Sequence, residues 1–310
     1  MFIYKVDKDN KFYNIKELLK SHYNMSDKLI AKLKKYKRIY KNDEPAYVTA
    51  ILNINDIIKV DLNFDEETDN IVGIMHNLDI LYEDEYMIII NKEPGYPIHP
   101  SASHHKDTIS NFIKYYFEKN NIKRKLRPVN RLDKNTSGIT IFAKSDYIQD
   151  MLIKQMNLNT LKKEYLAIVE NIPTTLEGLI EAPIARKYGS IIEREICFNQ
   201  NQDLPKDYAP QNAKTIYKTL KVDYENNLSL ISYTLLTGRT HQIRLHSRYI
   251  GCPLLGDDLY NKPSNLISRQ ALHSRSITFI HPITKKTLTI TAPLPNDMEN
   301  LLSKFNFKDI

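Results

Sequence analysis

Apolar residues recur along this chain with two different periods, and the switches between them mark out its elements. In "MSDKLIAKLKKYKRIY", Leu29, Ile30 and Leu33 keep helical spacing behind Ser26, whose hydroxyl suits an N-cap. Lys28, Lys32 and Lys35 fall on the remaining surface of that helix. Asn55-Asp56 then marks a turn, and Ile57 to Leu62 alternates as a short strand. An amphipathic basic helix followed by small strands is a compact layout for binding nucleic acid. The acidic stretch "DEETDN", residues 65 to 70, holds no apolar side chain and reads as a linker.

From His76 onward, strand and helix signals alternate. "YMIIINKEPGYPIHP" predicts a buried strand ending in a Pro-Gly turn, and "GITIFAK", "KEYLAIVE" and "NLSLISYTLLTG" predict further strands. Helical spacing runs through "TISNFIKYYFEKN" and "DYIQDMLIKQMN", and through "THQIRLHSRYIG" up to Gly251. "ITFIHPITKKTLTITAPLP" predicts a C-terminal hairpin, and no internal repeat or low-complexity tract interrupts the pattern.

Composition narrows the class. At 310 residues, with 42% hydrophobic and 26% charged positions, the chain suits a soluble protein of one large domain, alone or with a small one. Its apolar runs, such as Met87 to Ile90, are strand-sized, so no membrane partner is expected. The N-terminus is charged from the fifth residue, unlike a secretory signal, and Cys197 and Cys252 lie far apart without a CxxC pattern. A cytoplasmic location is therefore expected. Residues 1 to 62 carry 13 Lys/Arg against 8 Asp/Glu, +5 of the overall +7. That concentration of positive charge points to a polyanion, most readily nucleic acid. The chain lacks GxGxxG after a strand, GxxxxGK[ST] and HExxH, so nucleotide cofactors and a zinc-hydrolase site lose their support. His104-His105 sit in a polar loop without further ligands at metal spacing, and no metal is expected there.

Three stretches place reactive groups at strand edges. In "RPVNRLDKNTSGITIFAKS", Arg131 and Asp133 stand directly before an apolar run. Asp133 reads either as the cap of a solvated turn or as a carboxylate held on a rigid edge. In "LKKEYLAIVE", Tyr165 enters a strand, and in "LLTGRTHQIRLH", Gly238 ends one while Arg239, His241, Gln242 and Arg244 crowd the following turns.

Taken in order, these stretches resemble the RluA/RluD family of pseudouridine synthases. "EDEYMIIINKEPGYPIHP" is similar to the family's first motif, with Glu93 between Lys92 and Pro94. "NRLDKNTSG" is similar to the signature His-Arg-Leu-Asp-x-x-Thr-Ser-Gly, with Asn130 in place of the usual histidine. "KKEYLAIV", "TGRTHQIRLH", "GCPLLGDDLY" and "QALHSRSITFIHP" resemble the later landmarks. The N-terminal segment resembles, more loosely, the small RNA-binding domain named for ribosomal protein S-four. Its usual glycine-rich stretch is replaced by "KYKRIYKNDEPAYV".

The resemblance implies an α+β fold: a catalytic domain (76–310) with a mixed, mainly antiparallel central sheet and flanking helices. It also implies an S4-like α+β domain (1–64) and a linker (65–75). The implied activity is isomerisation of uridine in structured RNA, with large-subunit ribosomal RNA the first choice and tRNA the alternative; no cofactor is required, and a monomer is expected. A silent RNA-binding assembly factor is the alternative, and Asn130 is the feature that favours it. By resemblance, Asp133, Tyr165 and Arg244 are the catalytic residues. Asp133 would be the nucleophile toward C1' or C6, or the base at the ribose 2' carbon. Arg244 would keep that carboxylate ionised, since a buried carboxylate alone loses charge. Tyr165 would stack on the uracil and serve the proton transfer at C5, and Leu245 would form an apolar wall. Arg131 would enter the RNA where the flipped base had been, Arg239, Lys32 and Lys35 would contact RNA, and His241 and Gln242 would be structural or RNA-contacting, not catalytic.

Overall fold

The computed structural model describes residues 1–63, 65–66, 70–199, 205, 208–305 and 307. Near the N-terminus a small sheet forms from β1 (Phe2–Lys5), β2 (Ile39–Lys41), β3 (Glu44–Pro45) and β4 (Ile57–Val60), paired in the order β1-β4-β2-β3. A helical turn α1 (Ile15–Glu17) and helix α2 (Asp27–Lys35) pack on it. The Ser26 side chain accepts the Leu29 N–H, and Leu29, Ile30 and Leu33 are the buried face of α2.

A ten-stranded sheet organises the remainder. Its strands are β5 (Ile80–Glu83), β6 (Met87–Lys92), β7 (Arg127–Pro128), β8 (Ser137–Ala143), β9 (Lys162–Glu170) and β10 (Glu177–Glu181). A separate hairpin, β11 (Ile184–Arg186) and β12 (Arg194–Ile196), precedes β13 (Lys214–Asp223), β14 (Leu228–Leu235), β15 (Leu272–Ile280) and β16 (Thr287–Thr291). The main path runs β10-β13-β14-β9-β15-β8-β6-β5, with β16 on β15 and β7 on β8. All of these pairs are antiparallel except β8 with β15. The fold is therefore α+β with a mixed, mainly antiparallel sheet. Helices α3 (Ile109–Lys119), α4 (Asp146–Asn157), α5 (Gln242–Tyr249) and α6 (Asn296–Lys304) flank it.

Strand β8 is buried at every position, which explains why its sequence is continuously small or apolar. Phe142 packs with Phe112, Ile113 and Phe117 of α3, while Ile139, Ile141 and Ala143 join Tyr147, Ile148 and Leu152 of α4 in a different cluster. Gly138 accounts for the glycine that opens this strand. Its φ is +107°, and a Cβ there would lie 2.3 Å from the Ser274 carbonyl oxygen. Only glycine lets β8 approach β15 so closely while turning out of the preceding loop.

The N-terminal sheet is not hung on a loose tether. Its core is continuous with that of α4 and β8, and Phe2 meets Tyr147 edge to face at 5.1 Å. Beside this contact lies a quartet of charges. Arg127 donates through Nη1 and Nη2 to Glu66 (2.8 and 2.7 Å) and through Nε to Asp146 (2.7 Å). Lys32 bridges the same two carboxylates, at 2.6 Å from Asp146 and in direct contact with Glu66. Two features of the sequence reading change here. Glu66 lies in the stretch read as a linker, yet its side chain is only 4% exposed and is anchored between both parts of the chain. Residues 67–69 of that stretch are outside the described residues. Lys32, expected to face RNA, is instead drawn inward by two carboxylates, because burying them without a cation would cost several kcal/mol.

Burial alone would raise Glu66 and Asp146, but hydrogen bonds from Arg127 and Lys32 hold both below the ordinary carboxylate range. Their contribution to stability is therefore complete above the unfolded-state values of about 4 and is lost as pH falls through the lower folded-state values. Glu66→Gln, which leaves the Arg127 and Lys32 charges under-compensated, is expected to destabilise the fold by about 3 kcal/mol. Urea denaturation at pH 7 and at pH 3 checks this, with the gap between wild type and variant narrowing at the lower pH.

Candidate active site

The loop between β7 and β8 carries Asp133, and backbone pairing makes it rigid. Asn130 is buried, and its amide donates to the Ile139 carbonyl and accepts the Ile141 N–H, both at 2.9 Å. It thus behaves as one more rung of the β8 ladder, a role that an amide fills with its paired donor and acceptor. At the other end, the Lys134 carbonyl accepts from Lys92 Nζ (2.8 Å) and the Gly95 N–H (2.9 Å). Lys92 also donates to the Glu93 and Tyr96 carbonyls, so its ammonium is saturated by three backbone oxygens. Burial, aided by nearby Arg269, pulls the Lys92 pKa down to about 7 against the attraction of Asp133 and Glu93. Arg269 completes the clamp, donating to the Asn135 carbonyl while its other nitrogens grip Asp297 at 2.7 and 2.8 Å.

Asp133 opens into a cavity of about 770 Å³ that Arg131, Tyr165, Arg239, His241 and Arg244 also line. Arg244 lies on α5 and presents Nη1 to Asp133 at 3.7 Å. The bidentate pair that this arginine makes is with a different carboxylate. Nε and Nη2 bond Asp257 at 2.7 and 2.6 Å, and Asp257 is fully buried. Asp257 is held in turn by the Leu259 and Tyr260 N–H groups, and the Tyr260 ring lies 5.0 Å from the guanidinium carbon. Arg244 is therefore aligned by Asp257 and shares its outward nitrogen with Asp133. Opposing carboxylates raise its pKa despite burial, so it stays a cation.

Tyr165, on β9, is 5% exposed and stands opposite Ser274 of β15. Burial drives its phenol well above the ordinary value, with Asp133 adding in the same sense. It can stack or donate a hydrogen bond, but near neutral pH it does not supply a phenolate base. The apolar wall comes from Leu132, Leu235 and Leu272. Leu245, expected there, is one helical position past Arg244 and faces a core of Ile184, Ala213 and Tyr260 instead.

The rim divides the remaining sequence-chosen residues. Arg131 and Arg239 are exposed at the cavity mouth, and Arg239 Nε donates to the Asn212 carbonyl. His241 caps α5 with φ +59°, a left-handed conformation that its 2.8 Å bond to the Tyr260 hydroxyl helps to hold. Burial keeps its imidazole below the usual value. Gln242 is buried and takes the structural one of its two expected roles. Its oxygen accepts from Thr237 and the Arg239 N–H, and its nitrogen donates to Lys214 and Thr215, which shapes the arginine loop from within. Lys35 is exposed on α2 with its ammonium 5.6 Å from the Tyr36 ring centre. Among the described residues, no group of three His, Cys, Asp or Glu is placed to hold a metal.

Sequence reading missed Asp257, Tyr260 and Arg269, although all three lie in or beside quoted stretches. An aspartate in a polar loop carries no periodic signal. The one clue was that a buried arginine needs a carboxylate, and Asp257 follows α5 at short range.

Residues 86–249 match a family model described as RNA pseudouridylate synthase. The chain is 36% identical over 284 residues to the Bacillus subtilis (strain 168) protein named "Uncharacterized RNA pseudouridine synthase YhcT", covering 92% of this chain and 90% of that protein. It is 35% identical over 237 residues to a "Ribosomal large subunit pseudouridine synthase D" of Zymomonas mobilis, covering 72% of this chain and 71% of that one. Among solved structures, "Human RNA Pseudouridylate Synthase Domain Containing 4" has a similar fold, with a TM-score of 0.59 at 22% identity over 74% of this chain and 93% of that one.

Asp257→Asn removes the charge that aligns Arg244 while preserving volume. A loss of about 3 kcal/mol in unfolding free energy is expected, because one ion of a buried pair is left behind. Equilibrium denaturation measures it, with exposed Asp258→Asn as the control expected to stay near wild type.

Proposed function

The chain belongs to the RNA pseudouridylate synthase family, and on that premise we propose that it isomerises specific uridines in structured RNA, most directly large-subunit ribosomal RNA. The observation that carries this reading is Asp133 on a clamped loop, with Arg244 3.7 Å away and Tyr165 in the same cavity. The reaction breaks the uracil N1–C1' bond and forms a C5–C1' bond, while a proton leaves C5 and N1 gains one. Reactants and products are isomers, so neither an oxidant nor a hydrolytic water enters the balance.

A stacked uridine hides its glycosidic bond, so the nucleotide must be extruded into the cavity. There Tyr165 and the leucine wall take the faces of the uracil, with the Tyr165 phenol protonated. Asp133 acts on the sugar or the base as nucleophile, or as base at the 2' carbon. Arg244 offsets the charge of that carboxylate and, held by Asp257, cannot swing away as the charge moves. Arg131, at the mouth, is the side chain placed to fill the gap in the RNA stack. Asn130 does not count against activity, since its amide serves the loop and not the reacting atoms.

The N-terminal 64 residues are, on this reading, an S4-like RNA-binding domain joined at 65–75 to the catalytic domain at 76–310. Its basic surface, including Lys35, favours a large structured target, and relatives named for the large ribosomal subunit agree with that choice. A tRNA target remains the second reading. A silent assembly factor is disfavoured by the intact Asp133, Tyr165 and Arg244. No helix among the described residues is long and apolar enough to cross a membrane, and the expected setting is cytoplasmic RNA.

Chemical mapping of pseudouridine in total RNA, from cells with and without the gene, tests the proposal. At least one signal is expected to vanish on deletion and return with the wild-type gene. Asp133→Asn is expected to fail to restore it, with a rate loss of at least 10³-fold in vitro and nearly unchanged RNA affinity. Restoration by that variant would remove Asp133 from the chemistry.

A further inference from the structure

A second hollow of about 560 Å³ adjoins the catalytic cavity, and its wall includes His99, Lys125, Arg127, Arg131, Asp146 and Gln149. His99, Val129 and Arg131 border both hollows, so the two meet at the mouth where Arg131 stands. The charge in this groove is one-sided. Among the described residues, Asp146 is the only carboxylate in its wall, and its oxygens are already taken by Arg127 and Lys32. Lys125 and Arg131 form no ion pair among the described residues, which leaves the groove a net cation. Its floor is stiff, because Arg127 belongs to the quartet that docks the N-terminal sheet, and Gln149 is tied to the Pro128 carbonyl at 3.0 Å. The stretch that supplies most of the cations, "IKRKLRP", leads directly into the Asp133 loop.

We infer that this groove seats the phosphodiester backbone of the RNA strand that continues from the nucleotide held beside Asp133, with Lys125 as its phosphate contact. The inference rests on the reading of the larger cavity as a uridine pocket. An extruded nucleotide keeps its covalent links to its neighbours, so the strand must leave the cavity along an adjoining surface. A basic groove that shares a wall with the cavity is the path on which a polyanion releases most counterions. The same path leads to the Arg127–Asp146–Lys32 link, hence toward the basic face of α2, fixed at a set distance from Asp133. Such contacts position the strand without reading its sequence.

The test uses the full chain and an RNA that the wild type isomerises, followed by steady-state kinetics over a salt series. Lys125→Glu is expected to raise KM on the order of tenfold with kcat near wild type, and to flatten the salt dependence of kcat/KM by about one unit of log–log slope. Lys125→Gln, which adds no negative charge, should shift both in the same direction by less. Lys119→Glu reverses an exposed charge on α3 outside the groove and should change KM by less than about twofold. Equal effects of Lys125→Glu and Lys119→Glu would show only long-range charge and overturn the groove, as would no effect at Lys125. A wild type that isomerises no RNA would instead overturn the reading of the cavity, and this inference with it.

Discussion

A guanidinium taken out of water must find carboxylates, and in this chain that requirement builds the site. Arg244 is buried on α5, and two of its nitrogens are locked by Asp257 from the loop that follows the helix. The remaining nitrogen points to Asp133, on a loop more than a hundred residues earlier. One cation thus links a helix, a later loop and the loop that leads into the interior strand β8. If Arg244 had Asp133 alone, the pair would be free to close and the carboxylate would be spent on its neighbour. With Asp257 carrying the alignment, Asp133 keeps a looser contact and an open side toward the cavity.

The same logic recurs at the boundary between the small and large sheets. Arg127 and Lys32 face Glu66 and Asp146, so no charge in this buried cluster lacks an opposite. The cluster is next to an apolar seam, where Phe2 meets Tyr147. Hydrophobic burial holds the two parts together, and the charges allow few other relative placements. Helix α2 is therefore tied by packing and by ion pairs to the segment that leads into the Asp133 loop.

Much of the fold was legible because its signals are local. Ser26 before a helical stripe, the apolar run of β8 and the Gly251 stop all act within a few residues. Asp133, Tyr165, Arg131, Arg239 and His241 were legible as cavity residues because their motifs stood in family order, and the structure brings all five to one cavity. Side-chain direction was less legible. Lys32 was expected on the RNA, Gln242 on the RNA or in a structural role, and Leu245 on the cavity wall. Yet each one's direction is set by a partner distant in sequence: Asp146, Lys214 and Ile184 respectively.

The sequence by itself determined the elements and the basic bias of the N-terminal segment, and the family resemblance of its motifs pointed to the α+β class and a set of candidate site residues. These follow from periodicity, turn chemistry and motif order, which operate along the chain. Tertiary structure alone decided which charges pair, because pairing depends on where segments meet in a low-dielectric interior. It assigned Asp257 to Arg244, turned Asn130 into a rung of β8, and made an acidic stretch read as a linker into the anchor of a buried quartet. It also placed a basic groove beside the cavity, where the run "IKRKLRP" had offered only charge without direction.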